Sequence, residues 1–410
     1  MMLQALFGEV KGFFDKDFLF ASFIPTLVFL VSITATLAGM IGFEGSLGWV
    51  ASLTVAQSTT LTGVVFLSTV VLAYIFNSLR VVFLKVWTGA IKTPIVPLLL
   101  LSQRWNEAKY DEEVKAAFRA PAWRGIIDRF DSALRQGYRK PEASNLIPDD
   151  KLRSLESTLS RLQSQIFDAR HDDASNREKI ENLMNTDVLP YYRKFGWSDP
   201  LNGAYQNLIS TLEKKAGEER SNIISRRFRL DRRYGTRDTI QPTTLGNVVE
   251  SYNAYSFVRY GMEGEIFWPH LQQHIPGPFM KKIDEQKIIF DFCLTMATLG
   301  VSYGLLALVF GPLLWGNVRF WTILGLFAVG FSYVVYYKLA VSIATQYGDL
   351  IRASFDLFRH DLLKAFSVKF DRSNISLLEE KELWGKLSRL LVYKDPSDLV
   401  FEISSSTKLP

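Results

Sequence analysis

At 410 residues, with 48% apolar and 22% charged side chains, the chain is longer than one minimal domain and too charged to lie wholly in a membrane. Its net charge of +5 is mild and does not by itself imply nucleic acid. A single cysteine, Cys293, excludes an intrachain disulfide and a cysteine-based zinc site.

Apolar stretches at 18–41, 61–79, 288–310 and 320–337 are each long enough to cross a hydrocarbon core about 30 Å thick. The first follows Lys11 and Lys16 and exceeds a signal h-region of about 7–15 residues, so it reads as a retained span. Pro25 predicts a kink there, with Ser22 placed to satisfy the freed carbonyl. The connector 42–60 has no Lys or Arg, whereas Arg80, Lys85 and Lys92 follow the second span. Lys281, Lys282 and Lys287 precede the third, and Lys338 and Arg352 follow the fourth. The positive-inside rule then predicts a multi-pass protein of the cell (inner) membrane with both termini cytoplasmic. Tyr336, Tyr337, Trp315 and Trp321 suit interfacial belts.

Two polar groups stand out at span ends. Asp291 lies about one turn inside the third span, and Asn77 and Arg80 close the second. A mid-bilayer carboxylate costs roughly 2.5–3.5 kcal/mol, so Asp291 wants a partner or water. The three residues read either as an ion or polar site at the cytosolic mouth or as interfacial groups with a snorkelling Arg80. Ala297, Gly300 and Gly304 are small residues at helical spacing, a helix-packing face whose partner the sequence does not reveal.

The stretch 95–101, flanked by Pro94 and Pro97, is too short to span and reads as interfacial. Beyond it Leu152, Leu155, Leu159, Leu162 and Ile166 form an a/d seam of two heptads, enough for a helix–helix contact. A further helix is expected over 203–233. Arg226, Arg227, Arg229, Arg232 and Arg233 make its basic end, readable as a solvated face with internal pairing or as a contact for anionic lipid or a partner. Glu218, Glu219 and Asp231 interrupt the run and no aromatic platform accompanies it, so nucleic acid is the least supported partner.

Thr243-Thr-Leu-Gly-Asn247, Arg259-Tyr-Gly261, Trp268-Pro-His-Leu271 and Pro276 precede the third span. This run resembles a group of bacterial four-span membrane proteins sharing T-x-L-G-N, R-Y-G, W-P-x-L and a proline. The likeness covers about forty residues and implies topology, with no activity attached. Thr244 is expected to cap a helix starting near Leu245, Pro269 to open another, and Pro276 and Pro278 to stop it. His270 and His274 have metal-ligand spacing, but the glutamate of H-E-x-x-H and a third ligand are missing; they are weak metal candidates.

After the fourth span, Ile351, Phe355, Phe358, Leu362 and Phe366 form an amphipathic stripe, with an Arg352/Asp356 pair at i,i+4. A partner for the stripe is expected in the 152–166 seam or in another subunit. A last helix is expected over 379–393. The expected fold is therefore all-α and polytopic, with two transmembrane helical hairpins and a helical cytosolic domain. Its parts are 1–101 (hairpin and interfacial segment), 102–286 (cytosolic helices), 287–342 (second hairpin) and 343–410 (cytosolic amphipathic helices).

No catalytic motif or cofactor fingerprint is present, so no cofactor and no catalytic residue is expected. The expected function is an oligomeric pore or transport-type protein with a regulatory helical body. Its layout resembles that of bestrophin-type anion channels, without their contiguous acidic calcium cluster. The alternative is a membrane-anchored sensor or scaffold that binds a cytosolic protein or anionic lipid. The expected partners are the bilayer, further copies of the chain and, for the alternative, a cytosolic protein.

Overall fold

The computed structural model of the chain describes residues 15–41, 45, 48, 49, 52–90, 96–118, 123–128, scattered positions between 132 and 190, 199–315, 318–368 and 376–394. These residues are helical almost throughout, with no strand among them. Among them, four helices are long and apolar enough to cross a bilayer.

The first begins as a turn at Lys16–Phe18, widens into a π-turn over Leu19–Phe23 and continues as α1 (Ile24–Ile41). The π-turn lies directly before Pro25, whose missing N–H leaves the ladder one donor short. Ser22 does not fill that gap, as its hydroxyl turns to Asn77, and the Thr26 hydroxyl donates at 2.7 Å to the carbonyl of Ser22, one residue beyond the one that Pro25 leaves free. The second helix, α2 (Val55–Thr88), is far longer than the apolar stretch inside it. Thr54 and Gln57 form a capping box at its start, and Gly89 ends it at φ 78°, in the left-handed region that glycine tolerates.

Next come α3 (Val96–Ala117) and α4 (Asp199–Arg233), then the short helices α5 (Thr244–Asn253), α6 (Tyr255–Tyr260) and α7 (Gly264–Leu271). Thr243, not Thr244, caps α5, accepting from the Gly246 amide at 2.9 Å while donating to the Trp87 carbonyl. Gly246 weakens helix propensity, yet a Cβ there would collide with the Thr88 carbonyl and lie 2.7 Å from Gln241 Cβ. Close approach of α5 to the end of α2 sets that residue. Pro269 sits inside α7 rather than opening it, and Pro278 lies in the first turn of α8 (Gly277–Trp315), where a missing N–H is tolerated. That proline therefore starts a helix where the sequence suggested a stop.

The fourth long helix runs as α9 (Val318–Phe331), a second π-turn at Ser332–Tyr337, and α10 (Lys338–Ala365). The apolar span and the amphipathic stripe are thus one continuous helix. The chain closes with α11 (Leu377–Tyr393), where Ser376 and Glu379 form a capping box and Lys394 at φ 57° ends the helix.

The residues fall into two compact units, Met1–Tyr110 with Asp231–Pro410, and Asp111–Leu230. In the first, α8 is the hub, touching the first π-turn, α1, α2, α9 and α10. One core joins Phe18, Leu19 and Phe23 to Ala73. Another joins Leu245 and Val248 to Phe290, Cys293, Tyr337 and Ala344. A third buries Ile351, Phe355 and Leu362 of the amphipathic stripe against Phe267, Leu271, Trp384 and Leu387. The stripe is therefore covered by α11 and by α5–α7, the latter too short to announce themselves as a partner face. Arg352 pairs with Asp349, not Asp356, because Asp356 accepts from two tyrosines.

Two aromatic residues expected in interfacial belts are buried instead. Trp321 lies against Gly311, and Tyr337 stacks between Tyr333 and Trp87. Leu100 and Leu101, in the stretch expected to be interfacial, are exposed on α3.

In the second unit Leu159 and Ile166 of the a/d seam are buried, as are Leu208 and Leu212 of α4. Gln163 donates to Thr211 at 3.3 Å, which sets the seam beside α4. Leu152, Leu155 and Leu162 lie outside the described residues. Trp123 is fully buried, and its backbone N–H donates to the Glu219 carboxylate at 3.1 Å.

Candidate functional site

Helical spacing puts Ala73, Asn77 and Arg80 on one face of α2, and Ala73 on that face is fully buried. The π-turn of the first span brings Ser22 to this face, and α8 supplies Asp291 from the other side. Arg80 Nη1 lies 2.8 Å from Asp291 Oδ2 and 3.4 Å from Asp17 Oδ1. Its Nη2 donates to Ser22 Oγ at 3.1 Å and to Asn77 Oδ1, while the Ser22 hydroxyl donates to Asn77 Oδ1 at 3.2 Å. The guanidinium is 15% exposed and the Asp291 side chain 8%, whereas Asp17 is 44% exposed. Arg80 therefore turns inward as the centre of a polar node joining three spans. Its Nε finds no acceptor among the described residues.

One guanidinium meeting two carboxylates, one of them open to the surface, neutralises the buried charge without closing the node. Sequence reading picks out Asp291, Arg80 and Asn77, which the structure brings together. It misses Asp17, whose signal is position: counted from the span ends, it lies level with Arg80. It also misses the Trp87 indole, which donates to Thr298 Oγ1 at 2.8 Å and ties α2 to α8.

The small residues of α8 have their partner in the same chain. A Cβ on Gly304 would lie 2.8 Å from the Gly325 carbonyl oxygen and 2.7 Å from Val329 Cγ2, and one on Gly300 would strike Ser332. Ala297 is fully buried. This face packs α8 on α9 and its π-turn.

A second polar cluster lies around α10. Tyr255 and Tyr260 donate to Asp356 at 2.8 and 2.6 Å. Burial, and then that hydrogen bond, hold both phenols above their ordinary range. Buried Glu380 accepts from Arg359 Nε at 2.8 Å and meets His360 Nε2 at 3.2 Å, which fastens α11 to α10.

The arginine run is divided. Arg232 pairs with Asp349, and Arg233 lies over the Tyr234 ring. In the other unit Arg227 donates to the Ala117 carbonyl at 2.8 Å and lies over Phe118, and Arg229 is exposed. Arg226 is half-buried. His270 lies against Phe366, and α7 ends at Leu271, so His274 falls in a following 3-10 turn. No group of three ligating side chains that could hold a metal occurs among the described residues.

No family model, no curated protein and no solved structure matches the chain. Of the resemblance to four-span membrane proteins, the layout is what the structure carries: four long apolar helices, consistent with a multi-pass protein in contact with a lipid bilayer.

Proposed function

We propose that the chain is an oligomeric pore or transport-type protein of the inner membrane, both termini cytoplasmic, regulated by its helical body. One observation carries this reading: a charged node, half open through Asp17, sits where three spans meet on helices that continue past the spans. α8 and the α9–α10 helix each run from an apolar span into the core around Phe355 and Trp384, so a change there reaches the spans through continuous helix. The outer part of α2 is exposed on every side from Val55 to Val65, surface available to further copies of the chain.

A second reading, a membrane-anchored sensor or scaffold, is favoured by the way all four terminal N–H groups of Arg80 face acceptors within the chain. A node whose terminal N–H groups all meet acceptors within the chain serves an anchor equally well. Purification in detergent, mass measurement and ion flux in liposomes separate the two. The pore reading expects a ring-shaped oligomer whose flux changes in the charge-swapped pair Arg80→Asp/Asp291→Arg. A folded monomer or closed dimer without flux discards it in favour of the anchor.

A further inference from the structure

The first, third and fourth spans do not close on one another along their whole length. Between them lies a groove of about 280 Å³, lined by Pro25 and Phe29 of α1, Met296 and Leu299 of α8, and Ala328 and Tyr336 of the fourth helix. It runs beside the two π-turns: Leu19–Phe23 ends two residues before the lining residue Pro25, and Ser332–Tyr337 contributes Ser332 and Tyr336.

Water would find partners only at one end of this space, since the rest of the lining is apolar apart from Ser32 and Tyr303, which already bond within the chain. A buried water needs two to four polar partners, and of the four hydroxyls lining the groove two are already committed. Ser32 donates to the Val28 carbonyl at 2.8 Å, and Tyr303 pairs with Thr36 at 2.5 Å. Only Ser332 and Tyr336 remain, both at the end nearer Lys338. A helix from a second copy does not suit it, since a helix with side chains is about 10–12 Å across. The groove opens onto outward surface through Val28, 43% exposed, and Phe327, 67% exposed. That surface is the one the spans present to lipid, so the groove continues the protein–lipid boundary inward.

We infer that the groove is a binding site for one acyl chain of a membrane glycerophospholipid, its ester end toward Ser332 and Tyr336, whose hydroxyls can donate to an ester carbonyl. The volume lies just below the range of about 300–1,000 Å³ usual for small-molecule sites, as fits a single chain. The inference rests on the four helices lying in a bilayer and not on the pore reading.

The test uses the full chain in phosphatidylcholine vesicles doped with phosphatidylcholine carrying a photoreactive diazirine on one acyl chain. Adducts are then mapped by peptide mass spectrometry. Met296 and Leu299 line the groove yet are 9% and 3% exposed, so lipid that merely surrounds the protein does not reach them. Labelling at these two residues is expected to match that at Ile323, which is 69% exposed and outside the groove. Filling the groove with Ala328→Phe, or with Ser32→Leu where the first variant does not fold, is expected to reduce it several-fold and leave Ile323 unchanged. Adducts confined to exposed positions such as Ile323 overturn the site, as does labelling of Met296 and Leu299 that persists in a folded filled variant. Cysteine cross-links between copies from Val28 to Phe327 positions, with no lipid adduct inside, would instead give the groove to a neighbouring subunit.

Discussion

Arg80 shows how one side chain ties together segments far apart in sequence, since its partners lie at 17, 22, 77 and 291. Removing one member of a buried pair leaves the other charge unmatched, at a cost of about 3–5 kcal/mol. Arg80→Gln or Asp291→Asn alone is thus expected to lower the melting temperature in detergent strongly. The double variant should recover much of the loss, and simple additivity of the two would refute the coupling. Sequence marks Asp291 and Arg80 as charges needing partners because apolar neighbours make them conspicuous. It does not show that they meet, because pairing across 211 positions is a tertiary fact. The tyrosines give a pH prediction. Burial raises Tyr252, Tyr255 and Tyr260 above their ordinary 10.0, so the native state holds protons that the unfolded chain releases. Their contribution to stability is complete below pH 10 and is lost as pH rises through the folded values. Phenolate absorbance should therefore lag model tyrosine and appear together with loss of helical circular dichroism; early titration of all phenols would contradict this.

At the scale of elements, fit at contacts decides more than propensity. Gly304→Ala would place a methyl group 2.8 Å from the Gly325 carbonyl and 2.7 Å from Val329. Overpacking of this kind costs about 1–3 kcal/mol. Gly330→Ala on the facing helix α9 meets nothing within 4 Å and should be nearly neutral, so equal melting temperatures would rule out the α8–α9 contact. At the other end, Ser376→Ala removes the α11 cap and is expected to cost about 1 kcal/mol. Amide exchange should accelerate in the first turn of α11 while the spans stay protected. The last helix is readable in sequence over 379–393 and the stripe of α10 from its 3.6-residue period, whereas the Ser376 cap came from the structure. The partners of that stripe are not readable, because α5–α7 are between six and ten residues long and their faces make sense only once folded. Pro269 and Pro278 mislead for a related reason: proline restricts one residue locally, while neighbouring turns decide whether a helix starts or continues.

For the whole molecule, topology is the property most legible in sequence, because lipid imposes a length and hydropathy that few soluble helices meet. The four apolar helices stand in the structure, and the sidedness proposed above follows from charge alone. Reporter fusions at both chain ends are expected to report the same compartment, with the 42–60 connector accessible from the other side. Opposite readings for the two ends would remove the proposed arrangement. The node and the lipid groove are less legible, since both depend on residues of distant helices meeting in space.

The fourth helix, Val318–Ala365, holds 48 residues, and at 1.5 Å per residue it is roughly 70 Å from tip to tip. A lever that long magnifies: tilting it by one degree displaces its far tip by about an ångström. Repacking of the core around Phe355 therefore has leverage over Ile323 without anything entering the oil. Spectroscopic rulers attached near those two residues would register whether such a lever swings.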